Sequence, residues 1–378
     1  MPGQERVNSL SFFGQGKNCN APAFPQLTSE LWPGGQVVLE KGDTGAVMKY
    51  VEYLRKYLSV WVTISLALAL LFGYYSPNVK FLKPVIPFFL FVMLYPMMIN
   101  LRVEDIGKAL KNPKLTLLAL GMNFLLTPPL GALWARILFS HADPYITTGF
   151  ILKITVPCSG MVAAWTGYAK GRVESALVIV ALSFILAIFL VPLWMWALAG
   201  IYVKIDPLMI FKKMVFIIVL PLLAGYLTRK ILIRKYGINR YKGFAPFFPA
   251  VSTCGMLLMI FIIISAEARM IIGHFQWVLL IILGIATLYP FLFILAILLA
   301  KVTRLSHGDG MALGYSVTAK NHAISIGVAS TAFAGTLAVL PATVAPLVQV
   351  PVMLIFLNLT NKIKLFLHPE LRMHLNNT

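Results

Sequence analysis

Acidic side chains are what this sequence has least of. Only 13 of its 378 residues are Asp or Glu, against 32 Lys and Arg, which leaves a formal net charge of +19. Charged residues of both signs make up 12% of the chain, about half the share of a soluble domain. None of the acids falls in the middle of an apolar run: Glu174, Glu267 and Asp309 stand at run ends, and the others lie in loops or termini. That absence excludes an Asp–Asp hydrolytic pair at membrane depth. It also disfavours a sodium site, which needs oxygen ligands that usually include an anion. Cysteine is scarce as well. Cys19, Cys158 and Cys254 are too few and too widely spaced for a disulfide framework or a zinc pattern, so neither a metal site nor a cofactor is expected. No Gly-x-Ser-x-Gly nucleophile turn is present, and an intramembrane hydrolase is not the expected class.

Apolar residues are abundant. Hydrophobic residues make up 59% of the chain, and the mean hydropathy is +0.83. Composition of this kind implies a polytopic membrane protein. Ten apolar runs can be counted, over 58–76, 81–101, 113–139, 145–169, 173–202, 207–228, 246–267, 274–300, 310–333 and 336–361. Each is near or above the ~20 residues that cross the hydrocarbon. Residues 1–50 differ: they are polar, rich in Gly, Pro, Asn and Gln, and read as a disordered extension. Met48 opens MKYVEYLRKYLSVW, which reads as a natural start, and N-terminal protein sequencing decides between the two. The remaining chain divides into 51–205, 206–365 and a short tail, 366–378.

The basic excess is concentrated in loops and so does not imply nucleic acid. With the N-terminus in the cytosol, inner loops and ends hold 20 Lys and Arg, among them Arg102, Lys170, Arg172, Arg229, Lys230, Arg234, Lys235, Lys301 and Arg304. Outer loops hold 7: Lys80, Lys83, Arg136, Lys204, Lys212, Lys213 and Arg269. This bias places both termini in the cytosol of a multi-pass plasma or inner membrane protein, with the lipid headgroups as partners.

One apolar run is broken in its middle. Gly149–Arg172 reads GFILKITVPCSGMVAAWTGYAKGR, with Lys153 one turn before Val-Pro-Cys-Ser-Gly. Pro157 removes a backbone donor and clashes with the preceding turn, so the helix should stop near Val156, with Gly160 completing the break. Hydrocarbon cannot satisfy the freed backbone groups, so the break must be buried in protein or line a cavity. Five spans per half would invert the second copy relative to the first. Val191-Pro192 in the fifth span and Val350-Pro351 in the tenth are weak traces of such a repeat. Counting back from each aligns Pro157–Gly160 with Thr318–Asn321, where a second long run is interrupted by Thr318, Lys320, Asn321 and His322. Two broken helices at equivalent positions of two halves mark a midplane substrate site.

The chain resembles the arsenical-resistance permeases, which share their fold with the bile acid:sodium symporters. The matching residues are Met93-Leu94-Tyr95-Pro96, Arg102 to Gly107, Asn123, Pro157-Cys158-Ser159-Gly160-Met161-Val162, Trp165, Lys170-Gly171, Asn321 and Ala345 to Val352. The resemblance covers roughly 53–362. It implies an all-α fold of ten transmembrane helices in two inverted five-helix repeats, a panel and a core domain, and discontinuous crossed helices four and nine. It implies secondary active transport and, for the permease branch, arsenite efflux in exchange for protons, with the helix-four cysteine essential. Two departures stand out. The permeases carry a glutamate where this chain has Gln349, and the symporters carry Glu and Gln sodium ligands where this chain has Ser316 and Lys320.

The membrane interior is therefore basic. Lys153 and Lys320 each cost about 2.5–3.5 kcal/mol at a helix centre on insertion scales. The half-helices that begin after the breaks aim partial positive charge at the same region. The expectation is that the Lys320 ammonium replaces the coupling cation, making transport proton-linked or cation-independent, whereas Lys153 snorkels toward an interface or is structural. Cys158, at a helix start whose amides favour thiolate, suits transient capture of a soft trivalent metalloid. Asn123, Ser159, Asn321 and His322 are expected to hydrogen-bond the substrate, and Lys153 and Gln349 are placed with Lys320 as candidate coupling residues. Arsenous acid is neutral, however, while lysines and helix N-termini suit an anion, so a carrier of a small organic or inorganic anion stands as an alternative. A channel is the alternative from another class, distinguished by flux that does not saturate.

Overall fold

The apolar runs fold as helices, because only a helix satisfies every backbone polar group inside hydrocarbon without a partner strand. A computed structural model describes residues 53, 57–76, 85–101, 113–245, 247–273 and 275–367, and among these no sheet is formed. The helices are α1 Leu58–Tyr75, α2 Ile86–Ile99, α3 Pro113–Leu138, α4 Pro144–Thr155, α5 Val162–Tyr168, α6 Val173–Ala199 and α7 Pro207–Tyr241. They continue as α8 Phe247–Gly273, α9 Phe275–Val302, α10 His307–Thr318, α11 His322–Ala332, α12 Leu340–Asn358 and α13 Thr360–Leu367. Six segments are long and apolar enough to cross a membrane, within α3, α6, α7, α8, α9 and the Leu337–Asn358 stretch that contains α12. The expectations about residues 1–50, Cys19, Arg102 and its motif, Lys80, Lys83 and the tail after residue 367 fall outside the described residues.

Proline shapes these helices locally. Pro128 has no N–H, so the Phe124 carbonyl loses its α-helical donor. Pro129 denies it the next one as well. The chain responds with a π-turn over Met122–Leu126, and Trp194 Nε1 on α6 donates to the orphaned Phe124 oxygen at 2.6 Å. Thr127 Oγ1 donates to the Met122 carbonyl at 2.6 Å in the same turn. Further π-turns lie at Met195–Ala199, just after Pro192, and at Val215–Val219, just before Pro221.

Two expectations need correction. The run 207–228 does not end in a loop: α7 carries Arg229, Lys230, Arg234 and Lys235 on a helix up to a kink at Gly237, after which the chain is helical again to Tyr241. Lys and Arg are good helix formers, and the Tyr241 hydroxyl donates to the Ile99 carbonyl at 3.0 Å, which fastens the extension to α2. Near that end Gly237 takes φ 78°, a conformation that favours glycine. The run 336–361 likewise is not one continuous helix. It turns at Leu359 into α13, a short amphipathic helix.

In packing, α8 lies along α1 and α2, and α2 also lies along α7. A second set surrounds the interrupted helices: α9 packs on α10 and α12, α3 on α4, and α5 on α6 and α10. Burial follows this division. All residues from Ile146 to Thr155 of α4 and from Asp309 to Thr318 of α10 are buried. α9, in contrast, shows Leu279, Leu283, Ile294 and Leu298 at helical spacing to the outside, as expected of a lipid-facing helix. Gly149 permits one of the closest approaches, because a Cβ there would collide with the Ala338 backbone carbonyl.

Candidate functional site

Both interrupted helices stop where the sequence places their breaks. α4 ends at Thr155, and Val156 turns the chain out of the helix (φ −58°, ψ 155°) before Pro157. α10 ends at Thr318, and α11 starts after Asn321, whose Oδ1 accepts from the Ile324 amide at 2.9 Å as an N-cap. The two breaks meet. Ser159 N donates to the Ala319 carbonyl at 2.7 Å, Asn321 N donates to the Pro157 carbonyl at 2.9 Å, and Cys158 pairs with Lys320 in an antiparallel bridge. Each break thus supplies partners that its neighbour would otherwise lack in hydrocarbon.

Side chains converge on this crossing. Lys320 is fully buried and its Nζ donates to Asn123 Oδ1 at 3.0 Å. Asn123 sits in the π-turn of α3, and its Nδ2 donates to the Ala119 carbonyl at 2.9 Å, which orients Oδ1 toward the lysine. Lys153 is also fully buried, with Nζ 3.1 Å from Nδ1 of His322. It therefore does not snorkel; α4 is enclosed on all sides, so the amine turns inward to an imidazole. With Nζ as the donor, Nδ1 is the bare ring nitrogen. Backbone groups alone do not satisfy His322.

Cys158 is likewise fully buried, but its expected environment is different. Its Sγ lies 3.1 Å from Ser183 Oγ on α6, and Ser183 Oγ donates to the Val180 carbonyl at 2.8 Å. Where helix amides are expected to favour a thiolate, the side chain is turned toward Ser183 on α6. Ser159 is nearly buried and its Oγ accepts from the Met161 amide at 3.2 Å, closing the turn into α5. Gly160 keeps an ordinary backbone; Met97 lies against it, at 3.3 Å from where a Cβ would be.

Gln349 on α12 donates from Nε2 to the Lys320 carbonyl at 3.4 Å, and its Oε1 is buried without a partner. Asn321 Nδ2 is also buried without a partner. A buried polar atom left unpaired costs about 1–3 kcal/mol, so an unpaired donor and an unpaired acceptor near one crossing mark places for a ligand. Among the described residues no three His, Cys, Asp or Glu gather as a metal-binding group. Cys254 is exposed on α8.

Ser183 was missed in the sequence reading, although a hydroxyl in an apolar span is itself a signal. The fastening at the far ends of the broken helices was missed as well. There Arg172 lies 3.0 Å from Asp309, and its amide donates to the Gly308 carbonyl at 3.0 Å. Trp165 of α5 stacks on Tyr315 of α10 with ring centroids 6.3 Å apart.

Interrupted, mutually paired helices buried within an all-helical membrane protein are the architecture of a carrier. Comparison with known proteins agrees. The sodium bile acid symporter family profile matches residues 87–274. The arsenical-resistance protein Acr3 of Alkaliphilus metalliredigens (strain QYMF) is 30% identical over 336 residues, covering 83% of this chain and 94% of that protein. Acr3 of Corynebacterium glutamicum is 24% identical over 82% of this chain and 90% of its own length. The probable sodium/metabolite cotransporter BASS1 of Oryza sativa subsp. japonica is 26% identical over 86% of this chain and 78% of its own. The chain belongs to the arsenical-resistance permease family within the bile acid:sodium symporter superfamily.

Proposed function

We propose that this protein is a secondary active transporter that exports arsenite across the plasma membrane, with proton-linked or cation-independent coupling. The observation that carries the reading is the fully buried Cys158 thiol in the first break, beside a second break that offers the free Nδ2 of Asn321 and, next to it, the free Oε1 of Gln349. Arsenous acid is neutral and carries three hydroxyls, each both donor and acceptor. One hydroxyl oxygen accepts from Asn321 Nδ2, and one hydroxyl proton goes to Gln349 Oε1. The sulfur can exchange for a hydroxyl: an As–S bond forms, an As–O bond breaks, and the thiol proton leaves with the hydroxide as water. No redox change is involved, and water reverses the step on release. A single thiol gives reversible capture, which a carrier needs.

Lys320 stands in for a coupling ion. It stands at a position where the symporters that the chain resembles carry a sodium ligand, its Nζ is tied to Asn123, and Gln349 supplies no charge where the permeases carry a glutamate. Ten spans in two inverted five-helix repeats (51–205 and 206–365), with both termini cytosolic, complete the reading. In it α4–α5 and α10–α11 form the crossed fourth and ninth spans of a core domain, and α1, α2, α7 and α8 belong to a panel domain. Alternating access then follows from the two groups rocking about the crossing.

The second reading, a carrier of a small anion, draws on a different observation: two buried lysines and two helix starts, with no carboxylate among the residues at the crossing. Flux into proteoliposomes separates the two. Arsenite and a panel of small anions are compared with and without proton or sodium gradients, for the wild type and Cys158→Ser. The expected result is saturable arsenite flux, indifferent to sodium, that falls at least a hundredfold in Cys158→Ser. Anion flux that is unaffected by Cys158→Ser, with no arsenite flux in the wild type, would overturn the arsenite reading.

A further inference from the structure

The last described helix, α13, forms a structured cationic surface that transport chemistry does not use. α12 stops at Asn358, and after Leu359 the chain turns into α13, Thr360-Asn361-Lys362-Ile363-Lys364-Leu365-Phe366-Leu367. Because α13 follows a spanning helix after one residue, it lies at the membrane face. Its two sides differ. Leu367 is buried and its side chain reaches Gly310 of α10, while Lys362 and Lys364 are exposed. Phe366 lies under the Lys301 ammonium, 3.7 Å from Nζ to the ring centroid, so the C-terminal end of α9 is joined to α13 by a cation–π contact. Arg304, also exposed, follows within the same turn, and Lys114 Nζ donates to the Thr303 carbonyl there. Among the described acids, Asp309 on α10 is committed to Arg172, so it does not neutralise this group.

We infer that α13, with Lys301, Lys362 and Lys364, is a docking surface for anionic phospholipid headgroups that steadies α10. An amphipathic helix at a membrane face, with two exposed lysines flanking its apolar residues, a buried Leu367 and an exposed aromatic at its rim, fits a phosphate above and acyl chains beside it. The contact of Leu367 with Gly310 gives the surface a route to the transport site. It bears on α10, the half-helix that ends at Lys320's break and is fastened to the start of α6 by Arg172 and Asp309. Lipid bound to α13 therefore favours the arrangement in which α10 is held in place. The inference rests on membership of a membrane-transporter family, and does not depend on the substrate.

The test uses the full chain in nanodiscs of phosphatidylcholine alone or with phosphatidylglycerol. Two readouts are taken: thermal unfolding, and lipid retained by the purified protein in mass spectrometry. The expected results are an upward shift in unfolding temperature with phosphatidylglycerol and retained anionic lipid. Both should be lost in Lys362→Gln/Lys364→Gln, a pair of exposed changes that spares the Lys301–Phe366 contact. The control Arg234→Gln/Lys235→Gln removes the same charge from the end of α7 and should respond like the wild type. Adding Lys301→Gln to the first pair should remove any residual shift. An equal response in wild type and Lys362→Gln/Lys364→Gln would overturn the inference, as would an equal loss in the α7 control. A shift reproduced in phosphatidylcholine discs by free glycerol phosphate would also overturn it, because the surface would then bind a soluble phosphate.

Discussion

The break between α4 and α5 leaves six residues outside the helices, 156–161, and contains a proline and a glycine; the break between α10 and α11 leaves three, 319–321, and contains neither. The first is therefore imposed by covalent structure, since Pro157 brings no N–H and cannot continue the ladder of α4. No such residue stops α10. Its break depends on the Asn321 cap to Ile324 and on backbone bonds from residues of the first break. One interruption is local and the other is tertiary, and the second exists because the first offers it partners. Their chemistry divides in the same way. The first presents a thiol turned toward α6, and the second presents an ammonium turned toward α3 and a free amide.

The largest expected effect tests how tightly each half is held. Gly149→Ala puts a methyl group against the backbone carbonyl of Ala338, which cannot step aside. Gly314→Ala in α10 meets only the Phe293 ring, at 2.7 Å. Gly149→Ala should cost at least the ~3 kcal/mol at the upper end of overpacking, and Gly314→Ala about 1 kcal/mol. The yield of monodisperse protein and its unfolding temperature measure both, and a Gly149→Ala protein as stable as wild type would show that α4 is not pinned to the Leu337–Val339 turn.

Next comes the comparison of the two lysines. Lys320→Ala leaves Asn123 Oδ1 without its donor and removes the proposed substitute for a coupling cation. Transport should fall at least tenfold at unchanged expression. Lys153→Ala should cost only a few fold, because the imidazole it contacts still has Asn321's helix start around it. Initial rates in proteoliposomes decide, and equal losses would remove the distinction between the two amines.

The smallest effect separates the local break from the tertiary one. Asn321→Ala removes an N-cap and should destabilise by about 1 kcal/mol. Pro157→Ala should cost more, because the ring imposes the first break and the second break takes its backbone partners from Pro157 and Ser159. A larger loss of unfolding temperature for Asn321→Ala than for Pro157→Ala would reverse the account of which break depends on which.

Much of the site was legible in residues 149–172 and 310–333, because a proline or a polar cluster inside an apolar run has few tolerable explanations in hydrocarbon. Cys158, Lys320, Asn321 and Asn123 are brought together at the crossing. The partners of the side chains were not legible. Lys153 was open between the interface and the interior, and a side chain with four rotatable bonds reaches either; the enclosure of α4 settles it. Ser183 lies 25 residues from Cys158, and nothing local joins them. Helix ends were the weakest reading: Lys and Arg after residue 228 look like a loop by hydropathy, yet they extend α7, and the run 336–361 looks like one helix until the turn at Leu359 is seen.

What the sequence determined by itself is the class of protein and the place of its first break. Both follow from short-range physics: the cost of putting charge or unpaired amides in hydrocarbon, and the missing N–H of proline. Tertiary structure alone decided that the two breaks pair with each other, that Cys158 faces a serine, and that Lys320 is held by an asparagine in a π-turn. Each of these joins residues from helices far apart in the chain, so each is set by how the helices pack and not by the neighbours of any one residue.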